Sequence, residues 1–223
     1  MTNDNRAGSA ITDFAARFGL TLMNQAQATL SPELRELHRA ILSAFVGTGT
    51  APTVAWITDR ASLLGADPDD ALASLSEADL VHTADGSVTV AYPFSGTPTP
   101  HRVEFDGGPT TWAMCGADAL GIPLMTGRNA AITSADPQTG ELIRIRYHNR
   151  VWTWEPDSTV MLTAATRGCG TAAEAACRYV HFFTRPEHAQ LYLETNPALS
   201  GEVYDQADSI EASRIIFGSL LGR

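Results

Sequence analysis

The chain has three cysteines, Cys115, Cys169 and Cys177, and Cys115 is followed by a carboxylate three residues on, Asp118. In Cys115-Gly116-Ala117-Asp118 a helical path sets thiol and carboxylate on one face, because residues three apart are neighbours there. An acid beside a thiol does not suit ordinary nucleophilic catalysis, which wants a cation to lower the thiol pKa from about 8.5. It suits a reaction in which a proton leaves a thiol and is delivered to something bound on sulfur. Like charges this close tend to share one proton. Against that stands the plain alternative, that a lone cysteine in an apolar helix is a small inert hydrophobe. Gly168-Cys169-Gly170 offers a flexible thiol without a second cysteine at redox spacing.

The other chemistry-bearing residues form no pattern. His38, His82, His101, His148, His181 and His188 make no i, i+4 pair and none sits at zinc-ribbon distance from a cysteine. His181, inside the apolar run Val180-His181-Phe182-Phe183, reads as a satisfied core histidine rather than a ligand. Nucleophile-elbow, Walker and dinucleotide fingerprints are absent from the sequence.

The elements that must position these residues divide into two halves, and the expected fold class is α+β. Residues 1–11 read as a disordered lead. A helix is expected from Thr12, with Phe14, Phe18, Leu22 and Met23 as its apolar face. Ser31-Pro32-Glu33 starts a second: a capping hydroxyl, proline at the first helical position, an acid near the positive end. Further helices fit Val54–Leu64 and the stretch opened by Asp67-Pro68. Asp85-Gly86 between apolar runs predicts a tight hairpin. Helices followed by a two-stranded wing give a winged-helix-like module over 12–92. Pro93 to Pro100, with three prolines, reads as a linker.

Residues 101–223 read as an α+β catalytic domain. Strands are expected at His101–Phe105, Asn129–Thr133, Leu142–Tyr147, Val151–Trp154, Val160–Thr163 and Val180–Phe183. Helices are expected at Thr111–Leu120, around Cys115, and at Ala172–Cys177, Pro186–Thr195 and Asp205–Leu221.

Composition narrows the partners. The 223 residues are 44% hydrophobic, enough for a real core, and carry a formal net charge of −10. Such a surface repels phosphate backbones and anionic lipid, so neither nucleic acid nor membrane is expected as a partner. The presumed recognition helix after Asp67 carries Asp69, Asp70, Glu77 and Asp79 without a Lys or Arg before Val81, which disfavours a DNA-binding regulator. No apolar run reaches the roughly 18 residues of a membrane span. Met1–Ala10 lacks the basic-then-apolar pattern of a secretory signal. With an odd number of cysteines and no framework spacing, a reducing cytoplasm is the expected compartment.

The segment Thr111-Trp112-Ala113-Met114-Cys115-Gly116-Ala117-Asp118-Ala119-Leu120-Gly121-Ile122-Pro123, continuing to Gly127-Arg128, resembles the signature of the organomercurial (alkylmercury) lyases. Cys177-Arg178-Tyr179-Val180-His181-Phe182-Phe183 resembles that family's second catalytic cysteine region, in the same order and at matching separation. The resemblance implies that Cys115 and Cys177 capture mercury and that Asp118 carries the proton. It further implies protonolysis of a carbon–mercury bond, releasing hydrocarbon and Hg(II) without any cofactor. Small thiols or a mercuric reductase would then remove the metal. The preference of soft Hg(II) for two thiolates in near-linear array agrees with this assignment. Met114 stands where well-known members carry Trp, and Arg178 where they carry another cysteine. A family cysteine in the hairpin after Gly127-Arg128 is missing near Ser134–Asp136, which keeps open a soft-metal (Hg(II) or Cu(I)) binding protein of the same fold.

Overall fold

The structure, a computed structural model, describes residues 3–166 and 171–222. Its first half is helical: α1 (Asn3–Phe18), α2 (Met23–Thr29), α3 (Pro32–Thr48), α4 (Val54–Leu63) and α5 (Pro68–Glu77). The expected capping residues are in place. Ser31 Oγ accepts from Leu34 N–H, Thr53 Oγ1 from Trp56 N–H, and Asp67 from the N–H groups of Asp69 and Asp70. Two expectations need correction here. The stretch 1–11 is not a disordered lead over its described part, because α1 begins at Asn3 and buries Ala7 and Ile11 with Phe14 and Phe18. The helix expected from Thr12 also breaks at Gly19, whose φ of 67° is left-handed, so Leu22 and Met23 lie at the start of α2.

Strands follow: β1 (Val81–Ala84), β2 (Ser87–Ala91), β3 (Phe94–Ser95), β4 (His101–Phe105) and β5 (Thr110–Ala113). After α6 (Gly116–Thr126) come β6 (Ala130–Ala135), β7 (Leu142–His148) and β8 (Val151–Glu155). These eight form one antiparallel sheet in the order β1-β2-β3-β5-β4-β6-β7-β8. The Asp85-Gly86 turn behaves as expected, both residues at positive φ between Ala84 and its partner Ser87.

The expected linker at 93–100 needs correction as well. Phe94 and Ser95 are buried and pair with Ala91 and Val90 on one side and with Ala113 and Trp112 on the other. The sheet therefore runs unbroken from the hairpin into the second half, and one apolar core spans both. Phe94 drives this: its ring stacks on Phe45 of α3 with centroids 4.9 Å apart.

The remainder is β9 (Val160–Thr166), α7 (Ala172–Ala175), a 3-10 turn at Cys177–Tyr179, β10 (His181–Phe183), α8 (Pro186–Thr195), β11 (Leu199–Tyr204) and α9 (Gln206–Phe217). β9 lies between β10 and β11 in a small antiparallel sheet. Between the two sheets α6 packs on α9 so closely that a Cβ on Gly121 would fall 2.3 Å from the Phe217 ring. The fold is α+β, and no helix among the described residues is long and apolar enough to cross a membrane.

Candidate active site

The helix expected over Thr111–Leu120 starts later than its sequence suggested. Thr110, Thr111 and Trp112 are β-branched or aromatic and extend as β5. Cys115 then adopts an extended backbone as the N-cap of α6, and Asp118 sits in the first helical turn. The two side chains still meet, but as N-cap and third helical residue. The Cys115 thiol donates to Asp118 Oδ2 at 2.6 Å.

Cys177 arrives from the other side, on the 3-10 turn after α7. The expected helix at Ala172–Cys177 stops at Ala175. The Cys177 thiol points at the same oxygen, Asp118 Oδ2, at 3.7 Å. Two backbone ties hold this approach. Gly116 N–H donates to Val180 O at 2.9 Å, joining the segments that carry the two cysteines. Asp79 Oδ2 accepts from Ala172 N–H at 2.7 Å, and its Oδ1 pairs with His82 Nε2 at 2.5 Å, anchoring the start of α7 to the helical half.

All three predicted site residues are thus brought together and buried, at 3%, 1% and 9% exposure for Cys115, Asp118 and Cys177. Their ligand atoms lie within 4.8 Å of one another, a set able to hold a soft metal ion. Burial dominates the electrostatics. It pushes Asp118 up to about 7, against the opposing hydrogen bonds from the two thiols. The Cys115 thiol is driven well above its ordinary value by burial, then by its contacts with Cys177 and Asp118. For Cys177 the hydrogen bond with Cys115 works downward, but burial and the charges of Asp118 and Asp79 leave it raised. The resting site therefore holds two protonated thiols around a carboxylate poised to exchange a proton near neutral pH.

A cavity opens onto this cluster. Tyr92 and Thr163 also line it; among the described residues the Thr163 hydroxyl and Asp118 Oδ1 are buried without a hydrogen-bond partner, and the Tyr92 hydroxyl has only a weak contact with the Ala173 backbone. Tyr92 is held well above the ordinary phenol range by burial and by Cys177, Asp79 and Asp118, so it stays a neutral donor. Sequence reasoning singled out neither Tyr92 nor Asp79 for the site. Tyr92 sits at the edge of the stretch read as a linker, and Asp79 reaches Ala172 across 93 positions, a contact without a local signal. Cys169 lies outside the described residues. His181 is half-buried and stacks on His101 at 5.9 Å, its pKa lowered by burial.

Residues 94–218, more than half the chain, match the family model described as alkylmercury lyase. The chain belongs to the alkylmercury lyase family. An alkylmercury lyase of Staphylococcus epidermidis is 28% identical over 205 residues, which is 92% of this chain and 90% of that protein. One from Streptomyces lividans is 32% identical over 126 residues, covering 56% of this chain and 57% of its own length. The crystal structure of the mercury-bound form of MerB2 superposes with a TM-score of 0.73 at 23% identity. It covers 90% of this chain and 97% of that one, a likeness of fold. As in other alkylmercury lyases by name, enzymatic function goes with family membership here.

Proposed function

We propose that this chain cleaves the carbon–mercury bond of organomercurials by protonolysis. One observation carries the reading: two buried thiols converge on a single carboxylate oxygen, at 2.6 and 3.7 Å. A substrate R–Hg–X meets Cys115 and Cys177, each of which forms a sulfur–mercury bond and gives up a proton. One proton leaves with X. The other passes to Asp118, whose raised pKa suits both accepting it and returning it near neutrality. Two thiolates on mercury push electron density onto carbon. Asp118 then protonates that carbon, the carbon–mercury bond breaks, and R–H departs. The balance is R–Hg–X plus two thiols giving R–H, HX and a dithiolate Hg(II), with mercury as substrate throughout and no cofactor.

The dithiolate would be unloaded by small thiols or a mercuric reductase, and the cytoplasm is the compartment that keeps the thiols reduced. The first half of the chain is proposed to act as a winged-helix-like packing module without nucleic acid as a partner. The helices-then-hairpin order and the acidic residues of α5 support that role.

The test is incubation of the purified protein with an organomercurial and excess thiol, with headspace measurement of hydrocarbon. Catalytic release of R–H is expected. Capture of mercury without release would point instead to a soft-metal (Hg(II) or Cu(I)) binding protein of the same fold.

A further inference from the structure

Cys177 is fastened by two ties, one on each side of it in sequence. The later one, Gly116 N–H to Val180 O at 2.9 Å, leads to the Cys115 segment. The earlier one reaches into the helical half, where Ala172, the first residue of α7, donates its N–H to Asp79 Oδ2 at 2.7 Å. Only the short α7 and the 3-10 turn lie between Ala172 and the Cys177 thiol. Asp79 occupies a position that glycine fills most readily. It follows the C-cap Ala78 of α5 at a φ of 53°. Its N–H donates to Ser76 O and the Leu80 N–H to Leu75 O, both at 3.0 Å, the paired bonds that end a helix on a left-handed residue. A side chain is thus kept here against local backbone preference. Its carboxylate is a bridge: Oδ1 is fixed by His82 Nε2 at 2.5 Å, which turns Oδ2 toward α7. The Tyr92 hydroxyl adds a weak contact with the Ala173 backbone at the same place.

We propose that Asp79 is a positioning residue for the lyase reaction: through Ala172 and α7 it holds the Cys177 thiol where it can close the second sulfur–mercury bond. The proposal rests on the lyase reading and deepens it. The Cys115 thiol lies 2.6 Å from Asp118 Oδ2 and can capture R–Hg by itself, whereas Cys177 stands off at 3.7 Å. Mercury held by one sulfur must then find the other in near-linear array. That step depends on how closely the second thiol is held, and a misplacement of about 1 Å can cost on the order of 10²-fold. The helical half thereby contributes to the reaction through a side chain that touches neither thiol.

Two substitutions remove the tie from opposite sides. Asp79→Gly deletes the carboxylate and suits the left-handed φ. Ala172→Pro deletes the N–H donor at the first helical position, which proline tolerates well after the extended Thr171. Asp79→Asn keeps the tie: its oxygen accepts from Ala172 while its amide donates to the other tautomer of His82, and only the charge acting on Cys177 is lost. The first readout is benzene release from phenylmercury in excess thiol. Both tie-breaking variants are expected to lower kcat by about 10–100-fold with KM within about threefold of wild type, since capture by Cys115 survives. Asp79→Asn should retain kcat within about threefold. The second readout needs no cleavage: each protein is loaded with mercuric chloride and titrated with 2-mercaptoethanol. The concentration that withdraws half of the metal should be at least about tenfold lower for Asp79→Gly and Ala172→Pro than for wild type and Asp79→Asn. Values within about threefold across all these proteins would overturn the proposal, as would a kcat of Asp79→Asn as low as that of Asp79→Gly. Wild-type protein that holds mercury yet releases no benzene would defeat the lyase reading alone, because the thiol titration still decides the placement of Cys177.

Discussion

Two carboxylates in this molecule are almost completely buried and have opposite characters. Asp118 is 1% exposed and Asp136 is 0% exposed. Burial pushes both upward. Around Asp136, however, the donors of His188 (2.7 Å), Thr184 N–H (2.8 Å), Gln138 N–H (2.8 Å) and the Thr184 hydroxyl (3.0 Å) outweigh it and hold the carboxyl below its ordinary value. Asp118 meets two thiols on one oxygen, with weaker backbone contributions from Cys115 and its own N–H, and among the described residues its Oδ1 has no partner at hydrogen-bond distance; burial prevails and it rises to about 7. The difference lies in the donors that surround Asp136 together with the heavier desolvation of Asp118. Asp136 joins the β6–β7 hairpin to the start of α8 and is satisfied. Asp118 is left short of partners, which is the condition for moving a proton.

The strongest way to break the comparison is to remove the thiols that define the Asp118 side. Cys115→Ser and Cys177→Ser each replace a soft ligand by a hard hydroxyl, and each is expected to abolish turnover in the hydrocarbon-release assay. Cys169→Ser should retain most activity. A dead Cys169→Ser beside an active Cys177→Ser would show that the second ligand has been misassigned.

Stability should separate the carboxylates next. Asp136→Ala strands two backbone N–H groups and is expected to cost about 3 kcal/mol or more in denaturant unfolding. Asp118→Asn should do the reverse at alkaline pH. The unfolded chain releases this proton near pH 3.9 and the folded protein only near 7, so wild-type stability falls as pH rises between those values. Removing the group should raise stability at pH 8 by on the order of 2–4 kcal/mol, and by little at pH 4. Asp136, with its lowered pKa, contributes stability present above its unfolded pKa and lost as acid protonates it. Equal destabilisation by both substitutions at pH 8 would erase the distinction.

The smallest effect is expected at Tyr92. Among the described residues its buried hydroxyl has no well-formed hydrogen bond, only a weak contact with the Ala173 backbone, so Tyr92→Phe should shift thermal stability by no more than about 1 kcal/mol. A clear loss of melting temperature would mean that the hydroxyl is satisfied in solution.

What could be read from the sequence follows from how local each signal is. Cys115 and Asp118 are three residues apart, and α8 begins at Pro186 and ends at Thr195 where its pattern placed it. The Asp85-Gly86 hairpin needs only its own turn chemistry. Harder to see were elements decided by distant partners. β3 exists because Phe94 packs on Phe45 and pairs with two strands, although its neighbours in sequence are proline, serine and glycine. β11, between α8 and α9, depends on β9, more than thirty residues earlier by its register of Leu199 with Thr166. Within the site, the two thiols and the acid were legible from motifs. Tyr92 and Asp79 come from packing across the whole chain.

The most direct measurement is intact-protein mass spectrometry of Asp118→Asn mixed with an organomercurial and no external thiol. Asparagine keeps the shape of the side chain and cannot carry the proton. Both thiols remain, so the account predicts that the variant accumulates an intact R–Hg adduct while wild-type protein shows bare Hg. The rate of hydrocarbon release should fall by about 10²–10⁴-fold. Bare Hg appearing on Asp118→Asn at the wild-type rate would contradict the account and leave Asp118 as a structural carboxylate beside a metal-binding pair.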